Sequence, residues 1–182
     1  MATTQIEGQV KLKNVRLSFP TLFKAEGIKG DPNSKPRFGA TFLISKDDKA
    51  QIKLIEDEIK RLEKLKFKGK ALSDKDISFH DGDSKDFDGY EGHMYLSANR
   101  SESQGRPQVV DRNLTPLTAD DAKIYAGCYV NAVVSFFVPK DWKKICCSLE
   151  VVQFVKDGEA FGAGRVKVDE VLDVLDDEDD DI

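Results

Sequence analysis

The feature that most constrains this chain is an alternation of apolar and polar residues that slips by one. In residues 10–19, VKLKNVRLSF, Val10 and Leu12 share one face, after which Val15, Leu17 and Phe19 share the other. Side chains of a strand point to opposite faces in turn, so a slip must be absorbed as an extra residue. That is the mark of a β-bulge, a device common where a sheet curls into a barrel. The last apolar stretch, ICCSLEVVQFV (145–155), shifts phase in the same way between Val151 and Val152. Pro20 is read as ending the first strand, and the Gly-, Pro-, Asn- and Ser-containing run 24–36 as a loop.

Three regular strands lie between these two. Residues 37–44 place Phe38, Ala40, Phe42 and Ile44 opposite Arg37, Gly39, Thr41 and Leu43. Residues 93–99 set Met94, Leu96 and Ala98 against Tyr95. Residues 128–138, read as the longest strand, turn Cys128, Val130, Ala132, Val134, Phe136 and Val138 inward, with Tyr129, Asn131, Val133, Ser135 and Phe137 on the other face. A helix over roughly 47–66 follows from Ile52, Ile55, Ile59 and Leu62 at helical spacing, with Ser45 and Asp48 resembling a capping box. Its lysines and Arg61 interleave with Glu56, Asp57, Glu58 and Glu63, the pattern of a solvated face. Five strands, one helix between the second and third, and no βαβ alternation give a mainly β chain. They point to a small five-stranded antiparallel barrel, of which the OB-fold is the common nucleic-acid-binding form.

Charge divides the chain. The last fourteen residues, DEVLDVLDDEDDDI (169–182), hold nine acids and no base. All 28 Lys+Arg therefore fall in residues 1–168 against 24 of the 33 Asp+Glu, leaving a body near +4 and a tail of −9. So acidic a run cannot bury enough apolar surface to offset its ordering entropy, and is expected to be a disordered tail on a domain spanning 1–168. A hydrophobic fraction of 40% suffices for a core. No apolar run is long enough to span a membrane and the N-terminus MATTQIEGQ carries no signal-peptide pattern. Cys128, Cys146 and Cys147 lack ligand spacing and read as reduced, partly buried thiols of a cytoplasmic protein.

Catalytic chemistry is poorly served. There is no phosphate loop, nucleophile elbow or HExxH, and the strands carry few acids besides Glu150. The Asp-rich stretch 73–92 fails the calcium-loop template because Lys85 occupies a ligand slot, and His80 and His93 have no companion pair. No catalytic residue, cofactor or metal site is expected. Single-strand binding is better served, since it needs cations for phosphates and exposed rings for bases. Candidates are Arg37 and Phe38, Tyr95 with Arg100, Arg106 and Arg112, and the turn containing Lys140, Trp142, Lys143 and Lys144. Trp142 either stands exposed for stacking or plugs the barrel end. Arg16 either faces a ligand or simply faces solvent.

The order of these pieces carries a resemblance. Pro36–Arg37 enters the second strand, a helix follows, then QVVDRN, the long strand, Pro139-x-x-Trp142, SLEVVQFVKDGEAFGAG and an acidic end. This arrangement resembles phage-encoded single-stranded DNA-binding proteins of the podovirus type, and more closely a related phage and prophage family long labelled uncharacterised. The resemblance spans nearly the whole chain. It implies an OB-fold replication or recombination protein, usually a homodimer, that coats and anneals single-stranded DNA in the host bacterial cytoplasm. It also implies that Arg37 and the Pro139–Trp142 turn contact DNA. The tail residues Asp176, Asp177, Glu178, Asp179, Asp180, Asp181 and Ile182 would compete with DNA and dock the polymerase and helicase-primase. Two positions differ from the relatives. Lys140 stands where they carry an aromatic, so one stacking platform is either absent or moved to Trp142, and Ile182 stands where their tail ends in an aromatic. The competing readings are an acidic-tailed interaction module or DNA mimic and, less favoured, a metal-dependent nuclease.

Overall fold

The computed structural model describes residues 8–28, 30–161, Leu172, Asp173 and Leu175. The elements are β1 (Gln9–Glu26), β2 (Arg37–Ser45), α1 (Lys49–Lys66), β3 (Phe79–Asp81), β4 (His93–Ser101), β5 (Gln108–Val110), β6 (Tyr129–Phe137) and β7 (Cys146–Lys156). They form one sheet in the order β3-β4-β2-β1-β6-β7-β5, closed by a β4–β7 pairing. The barrel proper is therefore β1, β2, β4, β6 and β7, with β3 and β5 as short additions and α1 between the second and third barrel strands. Four of its five seams are antiparallel, and the closing one, with Asn99 opposite Ser148, is parallel. Five strands alternating in direction leave two of like direction to meet at closure. Among the described residues no helix is long and apolar enough to cross a membrane.

The bulges sit close to where the alternation slips. Two residues of β1 stand opposite Asn131 between the Leu12–Ala132 and Val15–Val130 pairs, and Asn14 takes a φ of 51°. Its freed N–H donates to Asn131 Oδ1 at 2.9 Å. In β7 an extra residue falls at Glu150, since Val133 pairs Val151 and Val134 pairs Leu149, one position before the expected slip. A third bulge corrects two expectations. Pro20 does not end β1, which continues to Glu26 as the longest strand, and Phe19 does not face inward. Phe19 adopts a φ of 46° where three steps of β1 span two of β2, between the Ser18–Thr41 and Thr21–Gly39 pairs. The missing N–H of Pro20 falls within that shift, where it removes no ladder bond.

Helix α1 is capped by Asp48, whose side chain accepts from Gln51 N, while Ser45 Oγ accepts from Asp47 N; the cap lies three residues later than the expected box. Gln51 joins the helix to the first bulge, accepting from Lys13 N at 2.7 Å and donating to Lys13 O at 2.9 Å. Ile55, Ile59 and Leu62 join the barrel core beside Leu12, Leu17, Phe42, Leu96, Val130, Val134 and Leu149. Glu63 is not on the solvated face. It is buried, and its carboxylate accepts from Leu72 N at 2.7 Å. Leu43, on the outer face of β2, is buried too, beneath the segment that holds Gly89.

The three cysteines are free, Cys128 and Cys147 buried and Cys146 partly so. Burial pushes all three thiols upward in pKa, Cys147 most strongly. A thiol reagent at neutral pH is therefore expected to label Cys146 slowly in the native protein and the other two only after denaturant is added. Three equivalents of rapid native labelling would show that the barrel does not protect them.

Candidate nucleic-acid interface

The outer face of β2 and β4 carries small polar residues in register. Arg37 pairs Ser101, Gly39 pairs Asn99 and Thr41 pairs Ser97. Gly39 matters because its missing side chain leaves room for Asn99, whose Oδ1 lies 2.7 Å from where a Cβ would stand. Above this strip lie two depressions. The larger, about 620 Å³, is walled by Ile28 and Lys35 of the β1–β2 connection, by Gln104, and by Phe137 at the end of β6. The smaller, about 300 Å³, runs over Thr41 and Ser97 to Phe19. Both share Ile28, Arg37 and Asn99, so together they form one groove with Arg37 at its middle. Exposed apolar side chains flank it: Ile28, Phe19 and, 43% exposed, Phe137.

The structure sorts the arginines expected at such a surface. Arg16 donates from Nε to Gly127 O (3.0 Å) and from Nη2 to Glu159 O (2.6 Å). Arg100 donates to Gly105 O, Gln104 O and Glu150 Oε2, each at about 3 Å, and Arg112 donates to Val155 O. These three guanidinium groups hold loops to the barrel. The side chains of Arg37 and Arg106 are exposed and, among the described residues, make no hydrogen bond or ion pair. Arg37 stands in the groove, whereas Arg106 borders a separate depression beside Pro107 and Leu117.

The aromatic candidates separate as sharply. Phe38 is 4% exposed, so its ring has no free face for a base; its place in the alternation sends it inward, while its neighbour Arg37 goes out. Tyr95 lies half-buried in a chain of rings, 5.2 Å from His80 and 5.4 Å from Tyr90, and burial raises its phenol pKa. Trp142 is 63% exposed. It does not plug the barrel end. Its turn is closed by Trp142 N donating to Pro139 O at 3.3 Å, with Asp141 at a φ of 67°. Lys144 Nζ sits 5.3 Å from the indole centroid, and Lys140 and Lys143 are exposed beside it. Because Phe137 pairs Cys146 across the hairpin, this turn rises from the wall of the larger depression.

In the Asp-rich stretch, Lys46 Nζ binds both Asp81, at 2.8 Å, and Asp83, and it holds both carboxyls below their ordinary pKa. His93 Nδ1 lies against Glu91 O. Among the described residues no three His, Cys, Asp or Glu side chains are grouped to hold a metal ion. The tail candidates Asp176 to Ile182 lie outside the described residues.

Several groove residues were missed from sequence. Phe137 was legible, since alternation already placed it outward. Ile28 sits in a loop with no periodicity, and Phe19 leaves its alternation through a backbone turn. Asn99, Ser97 and Thr41 gain meaning only from cross-strand register.

A closed five-stranded barrel with a ligand-sized groove across its second and third strands defines an OB-fold of the oligonucleotide-binding kind. The family model of the Enterobacter phage Enc34 ssDNA-binding protein matches residues 8–182, and the chain belongs to that family. Protein p50 of Acyrthosiphon pisum secondary endosymbiont phage 1 is 41% identical, over 92% of this chain and 94% of its own. The single-stranded DNA-binding protein of bacteriophage Enc34, solved in complex with ssDNA, is 28% identical with a TM-score of 0.74, over 88% of this chain and 97% of that one. A second structure of the bacteriophage Enc34 single-stranded DNA-binding protein is 30% identical with a TM-score of 0.72, over 92% of this chain and 96% of that one. The single-stranded DNA-binding protein gp2.5 of bacteriophage T7, 16% identical with a TM-score of 0.54 over 92% and 99%, shares the fold.

Proposed function

We propose that this protein binds single-stranded DNA, without regard to sequence, in the groove over β2 and β4. The observation that carries this reading is Arg37, whose guanidinium, unpaired among the described residues, stands at the junction of two depressions flanked by exposed apolar side chains. Arg37 and Lys35 neutralise phosphates, and Trp142 and Phe137 offer faces for bases. Stacking accepts every base, because each has a π-face, which accounts for the absence of sequence preference. The relative solved with ssDNA supports the same ligand. The finer reading follows family resemblance: a homodimer acting in phage replication or recombination, coating and annealing strands in the host cytoplasm, with polymerase and helicase-primase as partners of the acidic tail.

A gel shift with a single-stranded oligonucleotide tests the core of this. Stable retardation without added metal is expected, with log affinity falling against log salt at about 0.7 per phosphate neutralised. No retardation would favour a DNA mimic or adaptor, and Mg²⁺-dependent loss of the oligonucleotide would favour a nuclease. The tail is tested separately. With nine acids removed by truncation after Val168, affinity is expected to rise, most at low salt where the polyanion competes best. Equal affinity of truncated and full chains at low salt would remove the competing-tail idea and leave the groove untouched.

A further inference from the structure

The groove does not stop at Thr41. Phe19, at its far end, also lines a third depression of about 250 Å³ with Ser18, Phe87, Ala126 and Phe161. Phe19 and Phe87 are 54% and 50% exposed, and their rings meet edge to face at 5.2 Å. Phe19 reaches this position through a left-handed backbone turn that lifts it out of the core alternation. A bulky residue with positive φ is uncommon and marks a place to look for function.

The third ring arrives from the other end of the chain. Phe161 N donates to Ala126 O at 3.0 Å, and the Arg16 guanidinium covers the Phe161 ring at 4.3 Å. Tyr125 binds the preceding strap, donating to Asp157 Oδ1 and accepting from Gly158 N. Gly89 completes the seat. It has a φ of +82°, and a Cβ there would lie 2.4 Å from Phe161 Cζ. Three segments far apart in sequence thus bring together three rings, none of them in the barrel core.

We infer that this depression is a base pocket: one nucleobase of a strand lying in the groove leaves the line of phosphates and stacks on Phe87 and Phe19 against Phe161. The occupant is a base rather than backbone for two reasons. The carboxylate of Asp86 also lines the depression and repels phosphate, and its surface is mainly apolar ring. Continuity with the groove through Phe19 supplies the path. This inference rests on the groove as the DNA site and extends its length.

The test uses the full chain, oligo(dT) of increasing length, and the variants Phe87→Ala, Phe87→Trp and Arg37→Ala. OB-fold sites span roughly 4–16 nucleotides. Phe87→Ala is expected to leave the shortest bound oligonucleotides unaffected and to weaken the longest about 5- to 150-fold, the loss of one stacked base. Phe87→Trp should restore most of that loss. An abasic position walked along the long oligonucleotide should weaken the wild-type protein at one place and not weaken Phe87→Ala further there. If Phe87→Ala binds every length as the wild type does, or loses equally at all lengths, the base pocket is overturned. If Arg37→Ala still weakens binding in those cases, the groove reading stands. Failure of the wild-type protein to bind any length would overturn both.

Discussion

Replacing Trp142 by alanine is expected to weaken binding to oligo(dT) about 5- to 150-fold, the equivalent of about 1–3 kcal/mol for one stacked base, and to leave the thermal midpoint unchanged. Both halves follow from placement. The indole is 63% exposed on a hairpin turn, so its removal opens no cavity. One face is already approached by Lys144, whose ammonium lies 5.3 Å from the ring. A cation over an indole is attracted by about 0.5–1 kcal/mol at an exposed site and adds a positive charge beside the phosphates of a base stacked on the opposite face. Lys144→Met should therefore weaken binding less than Trp142→Ala, and its effect should fade with salt. Titration with oligo(dT) should quench the emission of this only tryptophan. Unchanged fluorescence at saturation would remove Trp142 from the interface.

Phe42→Ala is expected to act in the opposite way, destabilising the fold by about 3–5 kcal/mol. Phe42 is fully buried at the barrel centre, opposite Leu17 of β1 on one side and Leu96 of β4 on the other. Both neighbours are themselves fully buried, and closure of the sheet fixes their positions, so the vacated space cannot collapse easily. For a domain of this size the loss corresponds to a fall of roughly 6–20 °C in thermal midpoint, measurable by circular dichroism. Since Phe42 faces away from the groove, oligonucleotide affinity well below the new midpoint should change little. A midpoint within a degree or two of wild type would mean that the barrel centre is looser than its packing indicates.

Trp142 and Phe42 also show how legibility divided along the chain. Phe42 was readable because inward alternation is a local property: Phe38, Ala40, Phe42 and Ile44 announce one face, and all four are buried. The first bulge was readable for the same reason, since a slip of phase needs only neighbours in sequence. Trp142 could not be decided locally. A lone indole among lysines fits a plug or a platform equally well, and only the path of the hairpin leaves it outside. The arginines were the least legible. Arg16, Arg37, Arg100, Arg106 and Arg112 look alike in sequence, yet three bind carbonyl oxygens up to 143 residues away, and of the five only Arg37 stands in the groove with a guanidinium unpaired among the described residues. Phe38 and Arg37 part company because adjacent residues of a strand face opposite ways: Arg37 lines the groove, while Phe38 is buried with no ring face open to it.

Taken alone, the sequence determined the five barrel strands apart from the far end of the first, the helix between the second and third of them, the first slip of phase and the neighbourhood of the second, and the separation of a cationic body from an acidic run. All of these are consequences of short-range periodicity and composition. Tertiary structure decided which cations remain available and which rings stay outside. It also decided that Phe19, Phe87 and Phe161, from three distant segments, share one depression. The physical reason is that a guanidinium or a ring takes its role from its partners, and in a closed barrel those partners come from register across seams between strands remote in the chain.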